Sequence, residues 1–185
     1  MKKTTLTVMS VLFTSLILFT FPAHSSSSIP SIIDSGNIVE QTCRQTPYYD
    51  LCVSTLRSNP RSHNANIEEL AQIMVDELDS TATNTLRHIR QLLQSGMDQS
   101  TQEALRSCAE RYRVIVRGDV PEAIEAISKG DYKYAEQGTF DAATEARSCE
   151  RGFSRGRSPL SNQNRQVHDT SLVAAAIVKA MARGG

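Results

Sequence analysis

Cysteines, histidines and one short run of carboxylates are the groups in this sequence with the means to do chemistry. Cys43 and Cys52 lie close together, and Cys108 and Cys149 lie far downstream. Thiols can act as nucleophiles, as metal ligands or as disulfides. A metal site needs partners at regular spacing, and none of His63, His88 and His168 has another histidine or a cysteine so placed. His168 and Asp169 are adjacent, and adjacent residues on a helix are not expected to face each other. Gly-x-Ser-x-Gly, His-Glu-x-x-His and phosphate-cradling glycine loops are all missing from the chain. Asp76, Glu77 and Asp79 form an acidic cluster that a solvated helix face explains. A glycosidase-type pair would need two acids converging on one cleft, and spacing along the sequence does not by itself show that. Arg147, Arg151, Arg155 and Arg157 recur at near-helical spacing, which fits an exposed face or a rim that meets an acidic partner.

The thiols are best read through what precedes them. Residues 1–25 have the build of a signal peptide: Lys2 and Lys3, then an apolar stretch from Val8 to Phe21, then Ala23-His24-Ser25 with small residues at the two peptidase positions. That stretch is short for a membrane span, and a signal anchor is the alternative to cleavage. An even cysteine count in a small exported chain points to disulfides rather than to catalytic thiols or zinc. No cofactor is expected.

Removing the leader from the 185 residues leaves roughly 160, an ordinary single-domain length. The formal net charge of the whole sequence is zero. Loss of Lys2 and Lys3, with no acid in that segment, takes it to about −2. That balance makes nucleic acid an unsuitable partner. No second long apolar run follows, so no membrane association is expected after cleavage. Tryptophan is absent, which argues weakly against a stacking site for sugars. Asn84-Thr85-Leu86 fails as a glycosylation acceptor at its third position, and no other acceptor occurs.

The elements that must position these residues read as helices with turn punctuation. Ser25 to Ser31 is a serine-rich lead-in. A first helix is expected from about Ile32 to Arg44, and Pro47 then opens a short second helix that Asn59-Pro60-Arg61 ends. Asn66 and Glu69 make a capping-box signal before an apolar stripe of Ile67, Leu70, Met74, Leu78, Ala82, Leu86, Ile89 and Leu93. Gly96 lies past its end. Ser100 and Glu103 repeat the capping signal before Leu105, Cys108, Tyr112, Ile115 and Val116, and Gly118 is expected to end that helix. Asp119-Val120-Pro121-Glu122 starts a short helix that Lys129-Gly130 stops. Asp131 can cap the next, which carries Tyr134, Ala142, Ala146, Cys149 and Phe153, with Gly138 inside it. Ser158-Pro159 opens the last. No segment alternates with period two, so the fold class is all-α, an up-and-down four-helix bundle with an N-terminal helical hairpin.

Four cysteines allow three pairings. Cys43 and Cys52 flank the Pro47 turn, as a hairpin clasp requires, and Cys108 and Cys149 sit on the inward stripes of two helices. The pairing 43–52 with 108–149 matches this best. In the chain-entropy account the short loop contributes about 2.7 kcal/mol and the long one about 4. A clasped hairpin with few core contacts would project from the bundle or lie across its end, as a structural staple or a contact element. A stapled, rigid exported chain without a reactive centre reads as a non-enzyme. Such scaffolds serve as binders or inhibitors, because preorganisation lowers the ordering cost of association.

From Asn37 onward the chain resembles the plant invertase/pectin methylesterase inhibitor family over essentially its whole mature length. The resemblance begins at Val39-Glu40-Gln41-Thr42-Cys43, Thr46-Pro47 and Tyr49-Asp50-Leu51-Cys52. It continues through Leu70 to Asp76 and Cys108-Ala109-Glu110-Arg111-Tyr112. Its most specific block is Val120-Pro121-Glu122-Ala123-Ile124-Glu125-Ala126-Ile127-Ser128-Lys129-Gly130-Asp131, and Ser148-Cys149-Glu150 and Ser158-Pro159-Leu160 complete it. The resemblance implies a four-helix bundle with a helical hairpin, disulfides paired first-to-second and third-to-fourth, and an inhibitor domain spanning residues 26–185.

It also implies inhibition of an enzyme of the wall or vacuole. One branch blocks acid invertase, a β-fructofuranosidase, and the other blocks pectin methylesterase. The block around Pro121 is similar to the invertase branch, whose Gly-Asp-Pro-Lys-Phe motif enters the substrate cleft. The matching positions are Gly130, Asp131, Tyr132, Lys133 and Tyr134, so Lys133 matches outright and Tyr132 stands in place of proline. The expected partner-binding residues are Asp131, Tyr132, Lys133, Tyr134 and Glu136. Acid invertase is the expected partner, with pectin methylesterase the alternative. The expected location is secreted, in the apoplast or cell wall, with the vacuole as the alternative.

Overall fold

The computed structural model describes residues 35–153 and 157–184. The expected leader, the serine-rich lead-in and Arg155 lie outside the described residues. Within them the chain forms seven α-helices: α1 (Ser35–Cys43), α2 (Tyr49–Ser58), α3 (Ile67–Leu92), α4 (Gln99–Val114), α5 (Val120–Ser128), α6 (Tyr132–Arg151) and α7 (Ser161–Gly184). A 3₁₀ turn (Pro60–Asn64) leads into α3, and a π turn (Ile115–Asp119) joins α4 to α5. Helix α6 lies along α7 and α4, and α3 lies along α7 and α4, which closes the four-helix bundle.

Each long helix follows from its stripe and its cap. In α3 the Asn66 side chain accepts from Glu69 N at 2.9 Å, and Glu69 Oε2 accepts from Asn66 N at 2.8 Å, a complete capping box. Leu70, Met74, Leu78, Ala82, Leu86 and Ile89 all face inward and are buried. Burying each large one stabilises the fold by roughly 1.5–3 kcal/mol. Gly96 follows α3 with φ +71°, the left-handed conformation that glycine adopts without strain.

Four boundaries differ from expectation. Helix α4 is capped by Asp98, not by a Ser100–Glu103 box. Its carboxylate accepts from Thr101 N at 3.1 Å and from both the Ser100 and Thr101 hydroxyls at 2.6 Å. Those three donors hold the Asp98 carboxyl far below its ordinary range. Gly118 does not end α4. The chain stays helical through it, and Val120 N bonds back to Ile115 O across the π turn. Pro121 lies at the start of α5, directly after the π turn, so the turn absorbs a residue pair that reads as a break. Finally, Pro47 lies in the turn before α2, and Pro159 in the turn before α7.

Cys43 bonds to Cys52 with Cα atoms 5.5 Å apart, and Cys108 bonds to Cys149 at 4.8 Å. All four are buried. The hairpin of α1 and α2 does not project. Val39, Thr42 and Leu56 are buried with its cysteines, and it packs on α3 and α7. Its apolar residues are too few to stay covered in solution, so they join the bundle's core. His168 and Asp169 also depart from expectation, since Nδ1 and Oδ1 lie 2.8 Å apart. Nδ1 is the ring nitrogen nearest the backbone, within reach of a short neighbouring carboxylate.

Candidate partner-binding site

Residues 131–134 occupy the junction where α5 ends and α6 begins. Gly130 takes φ +74°, which reverses the chain after α5. Asp131 is the N-cap of α6, and its Oδ1 accepts from Tyr134 N at 3.2 Å. An acceptor at the cap satisfies a backbone donor left open by the helix start. Tyr132 is therefore the first residue inside the helix, the position where proline is tolerated best. A tyrosine there keeps the helix and gives up only the locked φ.

The side chains divide by direction. Tyr132 is half-buried and packs against the core cluster, and its hydroxyl donates to Glu68 Oε2 on α3 at 3.3 Å. Lys133 is exposed and forms no ion pair among the described residues. Tyr134 is 51% exposed, and its hydroxyl donates to Glu122 Oε2 on α5 at 2.9 Å. Packing and the Glu68 carboxylate raise the Tyr132 phenol above its ordinary pKa, and the Glu122 hydrogen bond does the same for Tyr134. Glu136 turns to α7, where it accepts from Lys179 Nζ at 2.7 Å. The fold thus gathers Asp131, Tyr132, Lys133 and Tyr134 at one corner and engages Glu136 with the neighbouring helix.

Two participants were not legible beforehand. Glu122 and Glu68 hold the two tyrosines, yet Glu68 stands 64 residues from Tyr132 and carries no sequence signal of that role. Beside Tyr134 an open depression of ≈ 420 Å³ is lined by Glu122, Glu125, Ala126, Lys129 and Asp131. Lys129 Nζ meets Glu125 Oε1 at 2.5 Å, which lowers the carboxyl's pKa and raises the amine's. Among the described residues, Lys133 carries an exposed ammonium at this corner that no ion pair engages.

Among the described residues no group of three or more histidine, cysteine, aspartate or glutamate side chains could hold a metal ion. No helix there is long and apolar enough to cross a membrane. Of the Asp76, Glu77 and Asp79 cluster, Asp76 meets Arg61 at 2.5 Å and Glu77 accepts from the Thr81 hydroxyl at 3.2 Å, while burial and the neighbouring Asp76 raise the Asp79 carboxyl above its ordinary pKa. Arg147, Arg151 and Arg157 are exposed.

A family profile described as plant invertase/pectin methylesterase inhibitor matches residues 37–177. The Arabidopsis thaliana protein named cell wall / vacuolar inhibitor of fructosidase 1 is 42% identical over 146 residues, which cover 79% of this chain and 70% of that protein. Cell wall / vacuolar inhibitor of fructosidase 2, also from Arabidopsis thaliana, is 32% identical over 79% of this chain and 80% of its own. Among solved structures, a mutant form of a pectin methylesterase inhibitor from Arabidopsis superposes with a TM-score of 0.67. It is 25% identical and covers 74% of this chain and 92% of its own. With its two buried disulfides, its helical hairpin and its four-helix bundle, the chain belongs to the plant invertase/pectin methylesterase inhibitor family.

Proposed function

We propose that this protein is a secreted inhibitor of acid invertase that blocks the sucrose-binding cleft by direct complex formation. The observation that carries the reading is Lys133, an exposed ammonium without an ion-pair partner among the described residues, set between two tyrosines at the corner of a rigid bundle. The two relatives named as inhibitors of fructosidase support it.

A sucrose-cleaving site holds carboxylates for nucleophile and acid/base duties. An ammonium inserted there meets opposite charge, and the flanking rings occupy space that the sugar needs. Asp131 and Tyr132 orient the tip, Lys133 and Tyr134 make the contact, and Glu136 borders it. The tip is ordered before binding, so little entropy is lost on association. The protein itself catalyses nothing in this reading. Residues 1–25 are removed on export, residues 26–185 form the inhibitor domain, and the cell wall is the destination, with the vacuole as the alternative.

The test is to add the oxidised mature protein to purified acid invertase and to purified pectin methylesterase. Sucrose hydrolysis should fall in proportion to inhibitor, with demethylation unaffected. The reverse outcome would favour the second reading, pectin methylesterase inhibition, which the likeness to a solved inhibitor of that enzyme supports. Full activity of both enzymes would reject the two together.

A further inference from the structure

We propose that Glu68 and Glu122 are positioning residues for Lys133: each holds one of the two flanking tyrosines, so the direction of the lysine is set before a target is met. This rests on the reading of Lys133 as the inserted group. The two tethers come from different elements, Glu68 from the first turn of α3 and Glu122 from the first turn of α5. Tyr132 and Tyr134 are two residues apart on α6, so they leave the helix about 200° apart, with Lys133 between them. Turning the first helical turn either way about its axis therefore strains one tether or the other.

Such a device is needed at this place. The first turn of a helix has few hydrogen bonds of its own. Gly130 is a pivot at positive φ, and Tyr132 has no ring to lock its backbone. Packing of the Tyr132 ring on the core cluster anchors the inner side. On the outer side Tyr134 is half exposed, and its 2.9 Å bond to Glu122 is its link to α5. The raised phenol pKa of both tyrosines agrees with hydroxyls that donate to carboxylates. Neither carboxylate bonds to Lys133 among the described residues, so their action on it passes through the tyrosines.

The experiment is a double-mutant cycle with two readouts. Tyr134→Phe, Glu122→Ala and the double variant are assayed for inhibition of acid invertase, and amide hydrogen exchange of Tyr134 and Ala135 is followed in the free protein. Each single change should weaken inhibition about 3–10-fold and speed exchange at those amides. The double variant should be no weaker than the worse single. Glu122→Gln, which keeps an acceptor oxygen, should restore much of the protection. Tyr132→Phe with Glu68→Ala should behave likewise. Additive losses, or exchange that stays at the parent rate, would overturn the proposal. If Lys133→Ala leaves invertase inhibition intact, the inserted-lysine reading fails, and the exchange data still report whether the tethers exist.

Discussion

The backbone carbonyl of Asp119 lies so close to Gly138 that a β-carbon at that glycine would stand 2.8 Å from the oxygen. This contact seats the π turn between α4 and α5 directly on α6. It fixes where α5 begins, and hence where the corner carrying Lys133 stands. Backbone presses on backbone there, so neither side can yield by moving a side chain.

Gly138→Ala should therefore destabilise the protein even though alanine is the better helix former. Overpacking costs about 1–3 kcal/mol, against a propensity gain of about 1 kcal/mol. The added carbon would also meet the Ala123 Cβ at 3.4 Å. A drop of a few degrees in the thermal midpoint is expected. Gly118→Ala is the control, because its β-carbon would enter open space, and it should leave the midpoint unchanged or raise it.

Asp119 should make stability fall as pH rises. Its Oδ2 is buried without a hydrogen-bond partner. Burial foremost, then Asp141 and Glu145 of α6 and Glu122 of α5, push its carboxyl up from 3.8 to about 6. Of these, Glu145 is answered by Arg111 of α4 at 2.8 Å. The folded state binds the proton more tightly than the unfolded chain. The contribution is thus complete below the unfolded value of 3.8 and is lost as pH passes the folded value of about 6. Asp119→Asn should match the parent near pH ~3.5 and exceed it at pH ~7, by on the order of 1 kcal/mol once solvent screening of a half-exposed group is discounted. Parallel melts across that range would show it, and a gap independent of pH would contradict it.

Tyr112→Phe should cost more than one ordinary hydrogen bond. The hydroxyl donates to Asn164 Oδ1 at 2.8 Å in the core between α4 and α7. Asn164 Nδ2 donates in turn to Glu150 Oε2 at 2.6 Å, and the Ser161 hydroxyl donates to Glu150 Oε1 at 2.5 Å. Deleting the phenol oxygen strands a buried amide oxygen, a loss of about 1–3 kcal/mol. Urea unfolding should show a lower midpoint with an unchanged slope.

Lys133→Ala should weaken inhibition of acid invertase by about 2–5 kcal/mol, as expected for truncating a charge that is buried on binding. That is roughly 30-fold or more. Lys133→Glu should be worse, since it sets like charges together. Neither change should move the thermal midpoint, because Lys133 is exposed and has no ion pair among the described residues. Equal inhibition constants for the parent and both variants would end the tip's role.

Much of this architecture is local and could be read in advance. The α3 stripe and the Asn66–Glu69 box are contained in one helix, so periodicity and spacing report them. The same holds for Gly130 and the Asp131 cap. Gly118 misled because a glycine can stop a helix or merely occupy it, and the difference lies in a backbone angle that composition does not record. The Asp98 cap is masked in the sequence because Ser100 and Glu103 offer a capping pattern two residues later. The contact between His168 and Asp169 leaves no mark in the helical pattern because side-chain reach, not helical phase, brings them together.

The amino-acid order alone determined that the chain is helical, which faces turn inward, which cysteines can meet and that a lysine lies between two tyrosines. These follow from periods and caps, which act over a few residues. Tertiary structure decided what holds that lysine in place. Glu68 reaches Tyr132 and Glu122 reaches Tyr134 because packing brings the starts of α3 and α5 beside the start of α6. Separation along the chain carries no record of that proximity, since it arises when the helices bury their apolar faces together.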